Sequence, residues 1–203
     1  MTNDGWLHQP SPALLRPSTV MNAIGILGGS FDPIHCGHMQ LARDALSRLP
    51  LSELRLIPAA QSWQKSAPTS PAHRARMVGL AIENEAPDMR RRLVLDMREI
   101  ERGGSTYTID TLRELRRILP ATPLVLVMGG DQFAQLDTWR GWRALLTLAH
   151  IAVARRGAAP LGLGPELTAW HAAHRVNATA ELATGAAGHT TEFEMSPIQV
   201  SST

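Results

Sequence analysis

Lysine is almost missing from this chain: Lys65 is the only one, and nineteen of the twenty basic residues are arginine. The position of that single mobile ammonium therefore has to be explained. Cysteine is equally scarce. Cys36 stands alone, which excludes an internal disulfide and suits a reducing compartment, so the cytoplasm is the expected location. Long apolar runs are absent as well. The best candidate, residues 145–154, is broken by Thr147 and His150 and falls short of the roughly 20 residues a membrane span requires. The first 22 residues, rich in proline and serine, have no basic start followed by an apolar stretch and do not resemble a secretory signal. They read as a flexible N-terminal extension. A formal net charge of +2 argues against nucleic acid as the partner. With 44% hydrophobic and 19% charged residues in 203, the chain is not a disordered one, and its length fits one domain, residues 23–203.

What is present alternates. Short apolar runs predict strands at 23–27, 53–58, 93–95, 123–128, 150–154 and 190–195, the run Pro-Leu-Val-Leu-Val-Met at 123–128 being the strongest. Helical spacing predicts helices over 37–49, 71–84, 108–119 with Thr108 as N-cap, 139–146 and 166–174. Arg113, Glu114, Arg116 and Arg117 read as a solvated helix face, and Arg90-Arg91-Arg92 as a solvated turn. Strands apolar on both faces, separated by helices, predict an α/β fold with an open parallel sheet and helices on both sides. Ligands of such sheets lie at the C-terminal strand ends. Two strands there run into glycine pairs, Gly28-Gly29 and Gly129-Gly130.

The first of these loops is GGSFDPIHCGH, residues 28–38. Its glycines permit close backbone approach, and the following helix offers its first amides and positive dipole end, which outlines a phosphate site. His35 and His38, three apart at the helix start, point to one side. Gly37 between them removes a side chain that would block a ligand. A metal site is not expected, because His-x-x-His with Cys36 lacks a further ligand at a sensible spacing. Cys36 reads as a small buried hydrophobe.

GGSFDPIHCGH resembles the H-x-G-H signature of the nucleotidyltransferase superfamily, which has a Rossmann-like fold. IPAAQSWQK (57–65), STYTIDTL (105–112), MGGDQFAQLDTW (128–139) and VSST (200–203) narrow the resemblance to the bacterial nicotinate-nucleotide adenylyltransferases. The resemblance implies transfer of an adenylyl group from ATP to nicotinate mononucleotide, with Mg²⁺ held mainly by the ATP phosphates. It implies catalytic roles for His35, His38 and Lys65, although Trp63-Gln64 stands before the lysine where Pro-His is common. ATP would lie against Gly28, Gly29, Ser30, Phe31, His35, Gly37, His38, Gly129, Asp131, Arg155, Ser201, Ser202 and Thr203. The nicotinate nucleotide would meet Ser30, Tyr107, Thr108, Asp131 and Trp139, with Tyr107-Thr108 offering a backbone amide and a hydroxyl to its carboxylate.

Each assignment has a plainer alternative. His35 and His38 could simply cap the helix after a Gly-rich turn, Asp131 could serve as a helix N-cap, Trp139 as core, and Arg155-Arg156 as a surface pair. The family continues past its VSST-like segment into an apolar residue, an arginine and a helix, whereas this chain stops at Thr203. Competing functions are transfer to nicotinamide mononucleotide or another acceptor such as phosphopantetheine, and a nucleotide-binding module with impaired catalysis. The sequence leaves the oligomeric state open, a homo-oligomer included.

Overall fold

A computed structural model describes residues 23–61, 69–157 and 160–197. Six strands form one parallel sheet in the order β3-β2-β1-β4-β5-β6. Along the chain the elements are β1 (Ala23–Gly29), α1 (Cys36–Arg48), β2 (Leu51–Pro58), α2 (Pro71–Glu83), α3 (Pro87–Arg90), β3 (Leu93–Leu95), α4 (Arg98–Arg102) and α5 (Thr108–Ile118). They continue with β4 (Leu124–Gly129), α6 (Gly130–Phe133), 3₁₀ turns at Leu136–Thr138 and Trp142–Thr147, β5 (His150–Arg155), α7 (Pro165–His174), a 3₁₀ turn at Thr179–Ala183 and β6 (Thr190–Glu194). The predicted α/β class and each of the six strands are therefore present. The helix expected over 139–146 is instead a 3₁₀ turn at Trp142–Thr147 that starts only after Gly141, whose φ of 65° breaks a right-handed helix.

The two-residue period of the strands explains why both faces are covered. In β4, Val125 and Val127 point into one core with Leu27, Ala42 and Leu46, while Leu124, Leu126 and Met128 point into the other with Ile109, Leu112 and Leu145. The strand order reverses between β1 and β4, and a parallel sheet opens a crevice at such a point beyond its carboxyl edge. Gly28-Gly29 and Gly129-Gly130 flank that crevice. Among the described residues no helix is long and apolar enough to cross a membrane.

Several arginines read as solvated are structural. Arg116 donates to the carbonyls of Leu119, Thr122, Leu148 and Ala186, gathering three chain segments under one guanidinium. Arg92 donates to the carbonyls of Leu46 and Leu51 and so ties β3 to the α1–β2 connection. Five donors on a planar fork suit this role, and lysine could not replace it. Thr108 is not the N-cap of α5. Tyr107 takes the extended cap conformation and Thr108 is already the first helical residue. Cys36 is exposed, because the first residue of α1 points away from the sheet toward a shallow groove with Arg43 and Glu85.

Candidate active site

The crevice is a cleft of about 630 Å³, a size typical of small-molecule sites, roughly 300–1,000 Å³. Its centre is the turn Gly28–Ser30 and the start of α1. His35 and His38 close a reciprocal capping box on the first turn of that 13-residue helix, and no acid lies in that turn to neutralise its positive dipole end. His35 and His38 stack there with ring centroids 3.8 Å apart. The backbone N–H of His35 donates to Nδ1 of His38 at 3.3 Å. An accepting Nδ1 places the proton of a neutral imidazole on Nε2, which makes His38 a donor. Burial, reinforced by His35 and Arg156 and opposed by Asp131, lowers the pKa of His38 to about 4. At neutral pH His38 is therefore an uncharged N–H donor.

Phe31 does not line the cleft as expected. It is fully buried with its ring edge-on to His38 at 5.1 Å, supporting the imidazole from behind. Its φ of 46° is rare for a bulky residue and is held by that packing. Gly29 leaves room for the same ring, since a Cβ there would lie 3.1 Å from it. The turn has an anchor that the sequence reading missed. Arg74 of α2, 1% exposed, donates to the carbonyls of Thr69, Ser30 and Ala60 at 3.0, 2.6 and 3.0 Å. One guanidinium thus joins the turn after β1 to the chain after β2. An arginine inside an apolar helical stripe was the available signal.

The two flanks of the cleft differ in build. On one side lie Gly129, Gly130, Asp131, Arg155, Arg156, Leu161 and Met195. Asp131 is in the first turn of α6, and the N-cap there is Gly129, so the alternative of Asp131 as cap is excluded. Gly129 is needed for this arrangement: a Cβ on it would come within 2.5 Å of Asp131 Oδ1, because the carboxylate folds back over it. Arg155 lines the wall while donating to Glu192 at 2.9 Å. Arg156 lines the same wall, and its charge opposes protonation of His38.

On the other side lie Trp139, Glu99, Thr106, Thr108, Thr111, Leu112 and Gln61. Trp139 is half-buried: it packs on the core under α5 and also presents surface to the cleft, so both readings of it hold. Thr108 lines the cleft at the start of α5, but the Tyr107 side chain turns outward beneath Arg140, whose guanidinium sits 4.7 Å above its ring. Glu99 was also missed, sitting in sequence among charged neighbours. It is buried, accepts from Thr111 at 2.6 Å, and burial pushes its carboxyl above the usual range. Lys65, Ser201, Ser202 and Thr203 lie outside the described residues.

The profile of the cytidylyltransferase-like family matches residues 26–203. A Bordetella petrii protein named "Probable nicotinate-nucleotide adenylyltransferase" is 48% identical over 158 residues, 76% of either chain. Proteins of the same name from Marinobacter nauticus and Dechloromonas aromatica are 39% and 38% identical, covering 88% and 89% of this chain and 81% and 83% of their own. Among solved structures, a Plasmodium falciparum nicotinic acid mononucleotide adenylyltransferase complexed with NaAD superposes with a TM-score of 0.64. It is 19% identical over 88% of this chain and 77% of its own, a likeness of fold. The chain belongs to the cytidylyltransferase-like family and, within it, groups with the nicotinate-nucleotide adenylyltransferases.

Proposed function

We propose that this chain transfers the adenylyl group of ATP to nicotinate mononucleotide, releasing pyrophosphate and forming deamido-NAD. The observation that carries the reading is a cleft with an acid-free helix N-terminus and a stacked histidine pair at its centre, flanked by two differently built ends. Relatives at 38–48% identity bear the name of this activity.

The acceptor's phosphate is already an anionic nucleophile, so the reaction needs no general base. A phosphate oxygen attacks the α-phosphorus of ATP, the bond from that phosphorus to the bridging oxygen breaks, and pyrophosphate leaves with the electron pair. Catalysis then rests on alignment and on stabilising charge at the phosphates. His38 would donate from Nε2, with His35 stacked on it, and the amides of Gly29–Ser30 and the start of α1 would face the same charge. The neutral form of His38 suits this, because it donates without protonation beside Arg156. Lys65 would add the mobile ammonium, by resemblance to the family.

Among the described residues no three His, Cys, Asp or Glu side chains gather as a metal-binding group. By resemblance to the family, a divalent ion would be held by triphosphate oxygens and water, the binding habit of Mg²⁺. Bound there, it would supply neutralisation of the departing charge.

Trp139 would offer its face to the pyridine ring. The start of α5 has no side-chain cap, its first-turn Asp110 is paired with Arg113 at 3.1 Å, and Arg140 lies nearby. That positive end favours the carboxylate of nicotinate over an uncharged amide. The cytoplasm, inferred from the single cysteine, is the setting we assign. Pyrophosphate release with nicotinate mononucleotide, compared with the amide nucleotide, tests the reading. Equal rates would remove the carboxylate argument, and no release with either would remove the reaction.

A further inference from the structure

Behind the cleft wall lies an ionic chain, buried at its centre, that the reaction scheme above does not use. Its centre is Glu192 on β6, with a side chain about one-tenth exposed. Oε2 accepts from Arg155 Nη1 at 2.9 Å. Oε1 lies 3.0 Å from His171 Nε2 and 3.2 Å from Arg175 Nη1. A carboxylate can only accept, so Nε2 of His171 carries a proton. Nδ1 of His171 in turn meets Thr190 Oγ1 at 2.8 Å, and its ring stands against Phe133 of α6 with centroids 5.0 Å apart. Burial alone would raise the pKa of Glu192, but His171, Arg175 and Arg155 together lower it, so the carboxylate is charged.

A packed apolar cluster would stabilise β6 against α7 as well as this one does, since desolvating charges offsets most of their attraction. The ionic chain does something an apolar cluster cannot: it fixes the direction of one guanidinium. Only Arg155 links it to the cleft among the residues it joins, because Glu192, His171, Arg175 and Thr190 are absent from the lining. Arg155 is held from a second side by its own backbone, whose carbonyl accepts from Met195 N–H at 2.7 Å. In β5 it shares a sheet face with Glu192, which lies diagonal to it, Arg155 pairing in register with Glu194.

We infer that Glu192 is a positioning residue for the ATP end of the site, orienting Arg155 toward the nucleotide on the flank formed by Gly130, Leu161 and Met195, with His171 and Thr190 fixing the carboxylate from behind. This rests on the adenylyl-transfer reading for the identity of the nucleotide.

The test measures KM for ATP and for nicotinate mononucleotide separately, with melting temperatures, in Glu192→Gln, Arg155→Met and the double variant. The expected result is a rise of about tenfold in KM for ATP in Glu192→Gln and less than twofold for the pyridine nucleotide. In the Arg155→Met background the Glu192 change adds nothing further, because coupled residues are not additive. Equal effects on both substrates, additive effects, or unchanged KM values would overturn the assignment. Glu192→Asp, one methylene short of Arg155, replaces Glu192→Gln if that variant does not fold. If the wild-type chain releases no pyrophosphate, the reading of the reaction has failed. Calorimetric Kd values for ATP in the same variants then carry the test of Glu192 by themselves, with the same tenfold expectation.

Discussion

Removing the His38 ring by His38→Ala separates two losses of different size. The first is structural. The ring packs edge-on to Phe31, and its Nδ1 accepts the backbone N–H of His35. A hydrogen bond of this kind contributes about 0.5–1.5 kcal/mol and the lost packing about 1 kcal/mol, together about 2 kcal/mol. For a chain of this length that corresponds to a fall of roughly 4–8 °C in melting temperature. The second is chemical. Losing one preorganised donor to developing negative charge costs roughly 10²–10³ in kcat. Pyrophosphate release at saturating ATP and acceptor, paired with a thermal melt, reads both. His38→Gln, which can place an amide N–H in similar space, should recover part of kcat. Turnover within about threefold of wild type in a folded His38→Ala would refute the donor role. A collapse of the fold at 25 °C would refute the division into a small structural and a large chemical loss.

Because His38 is neutral down to about pH 4, kcat/KM for ATP should show no limb from this residue between pH 5.5 and 8, and NMR titration should find its ring unprotonated there. A tenfold rise per unit of falling pH would mean that a cationic His38 is required. Gly129→Ala should displace the Asp131 carboxylate rather than unfold the chain, since the contact at 2.5 Å is with the end of a flexible side chain. It should lower activity as Asp131→Ala does, with no added loss in the double variant, and additive losses would contradict this. Trp139→Ala should raise KM for the pyridine nucleotide at least tenfold and KM for ATP less than twofold, and equal shifts would make the residue core alone. His150 is fully buried, its Nδ1 accepts from His189 N–H, and burial lowers its pKa. The unfolded chain binds that proton near pH 6.5 and the folded one only at lower pH, so stability is complete above 6.5 and lost as pH falls below it. The urea midpoint should drop between pH 7.5 and 5.5, and less so in His150→Gln.

The sheet was legible because buried parallel strands announce themselves as apolar runs, and even the three residues of β3 were found that way. That the glycine pairs and the His-x-Gly-His residues line one cleft was legible because both lie at carboxyl ends of strands of one parallel sheet. What escaped depends on long-range partners. Arg74, Arg92 and Arg116 resemble surface arginines in one dimension, and only the fold brings carbonyls from distant segments beneath them. Cys36 was read as buried because a small thiol usually is, but its place at the first position of α1 turns it outward. Phe31 fell within a site-bearing motif, yet its backbone directs it away from the cleft, behind His38.

The most direct test of the account is pyrophosphate release from ATP and magnesium, with nicotinate mononucleotide and nicotinamide mononucleotide as parallel acceptors. The account predicts rapid release with the acid and at least tenfold slower release with the amide. Release that is equal for the two, or absent for both while ATP still binds, would contradict it.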